Sequence, residues 1–98
     1  MKQSIIQDDG IKRCFLSGQR CGNNGEQLQK HHVMNGALRD WADEEGLWIW
    51  VTPEWHSFLH DTQKGVHVLR LLKIIAQFKY EETHTHKEWM DKVHKNYV

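Results

Sequence analysis

One tetrad, Thr52-Pro53-Glu54-Trp55, fixes the start of a helix more firmly than any other stretch of the chain. The threonine hydroxyl can accept the first free amides. Proline loses no useful donor at the first helical position, and a glutamate in the first turn complements the positive end of the helix dipole. A helix that starts there carries His56 and His60 four residues apart, on one face. Upstream, Leu47-Trp48-Ile49-Trp50-Val51 is short, β-branched and aromatic, and is bounded by Gly46 and Pro53, which predicts a strand. Leu28 to Val33 predicts another strand, and it delivers Lys30-His31-His32. The order is a strand with a histidine pair, a second strand, then a helix with two histidines.

The flanking segments supply what a small sheet needs to be covered. Asp8-Asp9-Gly10 predicts a hairpin turn between Ser4–Gln7 and Ile11–Leu16, and the segment from Gly18 to Gly25 predicts a loop. Asn35-Gly36 turns the chain, and Ala37 to Glu45 predicts one or two helical turns ending at Gly46. Asp61 to Gly65 predicts a break. From Val66 to about Tyr80, the residues Val68, Leu71, Leu72, Ile75 and Phe78 recur at helical spacing, and this stripe is expected to be core. Thr85 and Glu88 form a capping box for a last helix presenting Trp89, Val93 and Tyr97 on one face. Of Trp48 and Trp50, one is expected in the core and the other exposed. His84, His86 and His94 are expected to be surface or capping residues.

Ninety-eight residues make one α+β domain, 1–98, with a modest core, so a bound metal would matter for its stability. Thirteen basic and 13 acidic residues cancel, whereas a protein holding duplex DNA by phosphate contacts alone is usually basic. From Asp40 to Gln63 there are six carboxylates (Asp40, Asp43, Glu44, Glu45, Glu54, Asp61) and no lysine or arginine. That stretch would repel phosphate. Cys14 and Cys21 do not form the paired Cys-x-x-Cys knuckles of a structural zinc site, and no disulfide between them is assigned. With no secretory segment and no long apolar run, the sequence predicts a soluble, cytoplasmic protein that does not enter membranes.

The ordered blocks Ser4-Ile5-Ile6-Gln7, Cys14-Phe15-Leu16-Ser17-Gly18, Lys30-His31-His32, Gly46-Leu47-Trp48, Trp55-His56, Gly65-Val66-His67 and Lys95-Asn96-Tyr97 resemble the small HNH proteins of phages and prophages, in the His-Me finger class of nucleases. The stretch from Val51-Thr52-Pro53 through His60 is also similar to the nuclease domain of DNase colicins. The resemblance spans the chain. It implies a ββα-metal core, with an N-terminal hairpin and C-terminal helices packed on it, holding one divalent ion against a scissile phosphate in a bacterial cytoplasm. The family's knuckle ligands would fall at Ser17, Thr52 and Trp55, so no structural zinc is assigned.

Adjacent strand residues point to opposite faces, so His31 and His32 cannot do the same job. The resemblance implies His31 as a metal ligand and His32 as the general base, with His56 as the helix ligand. Two alternatives stand for the third ligand. Colicin-like spacing selects His60, whereas the phage-type blocks select His67, which is favoured because the likeness continues through Gln77. Arg39 is the candidate for gripping a nonbridging oxygen. The asparagine that gives the class its name would fall at Leu47, with Asn35 as the alternative. An all-imidazole set favours Zn²⁺, Ni²⁺ or Mn²⁺ over Mg²⁺.

Two functions follow. One is metal-dependent hydrolysis of DNA with a 3′-hydroxyl leaving group, on weakly bound DNA. The other is a nuclease-derived binding protein that inhibits a host defence nuclease, in which the acidic Asp40–Asp61 stretch and Trp41, Trp48, Trp50 and Trp55 meet a basic protein partner. Charge favours the second and the histidines favour the first.

Overall fold

A computed structural model describes residues 2–7, 11–20, 22 and 25–98. Among these, the chain is an α+β fold of four helices and one two-stranded antiparallel sheet. Strand β1 (Gln29–His32) pairs with β2 (Trp48–Val51), with His31 opposite Ile49 and His32 opposite Trp48. Between them run a single 3₁₀ turn, Gly36–Leu38, and the short helix α1, Arg39–Glu44. Gly46 closes α1 with φ +76°, and a Cβ there would stand 2.4 Å from the Gln3 carbonyl oxygen, so only glycine lets the N-terminal segment pass.

Helix α2, Pro53–Asp61, starts where the sequence places it: Thr52 accepts from the Trp55 amide at 3.2 Å with Pro53 at the first helical position. The expected break from Asp61 to Gly65 is only Thr62. Its hydroxyl donates to the Phe58 carbonyl at 2.8 Å and accepts from the Gly65 amide at 2.9 Å, so one residue both ends α2 and caps α3, Gln63–Tyr80. Helix α4, His86–Val93, carries the predicted capping box between Thr85 and Glu88. It stops at His94, which is left-handed at φ 63°, so Tyr97 lies past the helix rather than on its face. The Tyr97 amide donates instead to the buried Gln77 side chain of α3 at 2.7 Å.

Three other expectations change. The described residues 2–7 and 11–20 form no strand, and the turn Asp8-Asp9-Gly10 lies outside the described residues. In place of a hairpin, single bonds tie this segment to β2. The Ile5 amide donates to the Gly46 carbonyl at 2.9 Å, the Phe15 amide to the Trp50 carbonyl at 2.8 Å, and the Trp50 amide to the Gln7 side chain at 3.0 Å. The edge of β2 away from β1 is thereby tied down without a second ladder. On α3, Leu71 and Phe78 are 57% and 61% exposed; the buried edge is Gly65, Leu72, Ala76, Gln77 and Tyr80, rotated from the expected stripe. Trp48 and Trp50 share one face of β2, because residues two apart do, and their rings meet edge to face at 5.1 Å. Trp48 is buried and Trp50 half-buried.

The core gathers Leu47, Ile49, Val51, Leu59, Leu72, Ala76 and Trp89 around the inner face of the sheet. No helix among the described residues is long and apolar enough to cross a membrane.

Candidate metal centre

The register of the sheet turns His31 and Ile49 toward α2, while His32 emerges on the other side. The consequence for His31 is burial: it is 1% exposed, and its Nε2 has no hydrogen-bond partner. Helix α2 packs on β1 and aims His56 and His60, one turn apart, at the same point. Ring centroids stand at 6.0 Å for His31–His56, 5.6 Å for His31–His60 and 4.6 Å for His56–His60. One donor nitrogen from each lies within 4.8 Å of the others. The three are close enough to hold a metal ion.

The donor set fits such an ion. An unpartnered buried ring nitrogen costs about 1–3 kcal/mol as a bare desolvated group, and a cation beside it removes that cost. Burial first, then repulsion from His60, His56 and His32, pushes the His31 imidazole down to about 4. It is neutral near pH 7, the form that binds metal. His56 is lowered as well, by burial and then by His60, against the opposing pull of Asp61.

His67, favoured from the sequence as the third ligand, lies outside this group, exposed on α3. The one-residue break at Thr62 is the reason: the chain re-enters a helix at once, and the loop that would have brought His67 back is not there. His60 takes the place instead.

Beside the three rings, His32 belongs to a second array. Its Nδ1 stands 2.8 Å from Asp43 Oδ1, and Arg39 Nη2 stands 2.9 Å from its Nε2. A guanidinium can only donate, so Nε2 is the acceptor and Nδ1–H donates to the carboxylate. Lys30 Nζ reaches the other oxygen of Asp43 at 3.4 Å. His31, His32, Asn35, Arg39, His56 and His60 line a single cavity of about 200 Å³. Arg39 and Asn35 thus stand at the site, while Leu47, where the resemblance to HNH proteins sets their asparagine, is fully buried core.

Asp43 is the residue that sequence reasoning assigned elsewhere. The sequence places it on an acidic docking surface, yet it holds the tautomer of His32. A signal existed: Arg39 and Asp43 are four apart on one short helix, and both point at the same imidazole. Glu45 is likewise engaged, 3.8 Å from His84 Nε2, so of the six carboxylates from Asp40 to Asp61 those left exposed are Asp40, Glu44, Glu54 and Asp61. Cys14 is a buried free thiol, and Cys21 lies outside the described residues. Comparison with protein-family models, curated proteins and solved structures finds no match.

Proposed function

We propose that the chain is a metal-dependent phosphodiesterase of the HNH, ββα-metal type, acting on DNA. What carries the reading is the placement of a three-imidazole cluster and an Asp43–His32–Arg39 array in one cavity. His31, His56 and His60 would hold a divalent ion, which when bound stabilises negative charge developing on a phosphate. Asn35 and Arg39 close the remaining side.

The roles of the protein groups follow from their chemistry. Arg39 offers a fork matched to phosphate oxygens, and it leaves His32 Nε2 when a stronger anionic acceptor arrives. With Nδ1–H fixed on Asp43, the freed Nε2 takes a proton from water. The resulting hydroxide attacks phosphorus, and the bond from phosphorus to the 3′ oxygen breaks, with that oxygen taking a proton from solvent water to leave as a 3′-hydroxyl. Asp43 stabilises the imidazolium that forms. The near-zero charge of the chain fits weak DNA binding. The inhibitor reading draws on the exposed Asp40, Glu44, Glu54 and Asp61, and is weakened because Asp43 and Glu45 are taken up internally.

A plasmid-nicking assay with Mn²⁺, Ni²⁺, Zn²⁺ and Mg²⁺ tests the proposal. Cleavage that depends on the ion and on His32 is expected. An ion bound at the three histidines without cleavage under any condition would overturn the enzyme and leave the binding protein.

A further inference from the structure

Helix α3 is built differently on its two sides. One edge, with Leu72, Ala76 and Tyr80, enters the core, while the opposite face is apolar in the middle and charged at both ends. Leu71 (57% exposed) and Phe78 (61%) flank the half-buried Ile74 at spacings of three and four, which places all three on one face, with Ile75 at its margin. Four and seven residues before Leu71, on the same face, stand the exposed His67 and Lys64. Beyond the helix, Phe78 shares a shallow hollow with Glu81, Glu82 and Val98, which is 58% exposed. Glu82 remains 59% exposed although Lys79 lies 3.7 Å away.

Read along the helix, this face runs cationic, apolar, acidic. A membrane or nucleic acid would take the first end and be repelled by the last. An antiparallel copy of the same face matches throughout. A two-fold axis passing between Ile74 and Ile75 sets Leu71 against Phe78 of the partner subunit, Ile74 against the partner's Ile75, and His67, with Lys64 one turn on, against the partner's Glu82. Closed two-fold interfaces need this self-complementarity.

We propose that two copies of this chain associate through antiparallel α3 faces centred on Ile74 and Ile75. The contact is independent of the metal centre. A single helix about 27 Å long covers less than a standard interface, so the dimer is weak and concentration-dependent.

Sedimentation velocity of the full chain in EDTA, which removes ion-bridged association, over a series reaching roughly millimolar protein, tests this directly. A monomer–dimer equilibrium is expected, with the dimer lost in Leu71→Glu, whose side chain already faces solvent. Lys64→Glu and Glu82→Lys should each weaken association at least about tenfold, because each brings like charges together. Mixed in equal amounts, the two reversed chains should associate with one another, since positions 64 and 82 are again opposite in sign at both ends of the interface. A protein monomeric across the whole series overturns the proposal. So does a dimer that survives Leu71→Glu, or a mixture of the reversed chains that associates no better than either alone.

Discussion

Two histidine-rich regions of the same molecule are built on opposite rules. At the centre formed by β1 and α2, three imidazoles face one another, and the buried His31 Nε2 has no hydrogen-bond partner. At the junction of α3 and α4, the imidazoles of His84 and His86 each have a partner. His84 stacks on Tyr80 at 4.0 Å, donates through Nδ1 to the Tyr80 carbonyl at 3.2 Å and lies 3.8 Å from Glu45; His86 is 3.1 Å from Glu81. His94 serves as a left-handed helix cap. Mutual repulsion and an orphaned nitrogen mark a group that could hold a cation, whereas pairing with carboxylates marks a structural tie. Composition alone does not distinguish the two.

The largest expected effect lies in the first region. Replacing even an outer partner of a metal ligand typically costs about 10- to 100-fold in ion affinity, so His31→Ala should lower Zn²⁺ affinity by at least about 100-fold in calorimetric titration, with His84→Ala unchanged. Binding that survives His31→Ala but fails in His67→Ala would restore the ligand favoured by the sequence and break the contrast. Next is the base: His32→Ala should reduce cleavage by about 10²- to 10⁴-fold with the ion retained. Asp43→Asn, which keeps the shape but loses the charge holding the His32 tautomer, should cost about 10²-fold in cleavage. Unchanged turnover in Asp43→Asn would make that carboxylate a mere anchor for Lys30.

The metal-free protein also carries the contrast in its pH dependence. His31 titrates near 6.5 when unfolded and is pushed down to about 4 when folded, so below pH 6.5 the unfolded chain binds the extra proton. Stability is therefore lost as pH falls from about 6.5 to about 4, by up to about 3 kcal/mol, and no further from this group below that window. Chemical denaturation in EDTA measures the slope, which His31→Gln should flatten. A stability independent of pH across this window would show that His31 is less sequestered than its 1% exposure indicates. The smallest effect belongs to the second region, where Glu45→Gln should cost only about 0.5 kcal/mol of unfolding free energy, since a partly exposed pair is screened by water.

Local chemistry made some of this legible in the chain. Thr52-Pro53 and the pair Thr85 and Glu88 start helices because the side chains that satisfy the first amides are adjacent in sequence. His31, His56 and His60 are candidates in the sequence through the resemblance to HNH proteins, with the spacing of His56 and His60 on one helix face beside it. The third position could not be settled, because the choice between His60 and His67 turned on whether the break after α2 was one residue or five. That length is decided by the two hydrogen bonds of Thr62. The Asp43–His32 contact spans 11 residues and exists only once α1 has folded back on β1. The phase of α3 is not legible in the sequence, because hydrophobic spacing reports an apolar face without saying what it meets, and Leu71 and Phe78 satisfy the pattern from outside.

The corner between α2 and α3 has a consequence for how this protein tolerates change. A Cβ at Gly65 would stand 2.3 Å from the Phe58 carbonyl oxygen and 2.9 Å from Leu59 Cα, so the two helices meet there backbone to backbone. The obstacle is main chain, which no rotamer can move aside. Any side chain at position 65 must prise the helices apart at the turn that carries His60. A residue that never meets an ion or a phosphate thereby sets the tolerance of the whole centre. In a library of random variants, position 65 should be as intolerant of substitution as the histidines themselves.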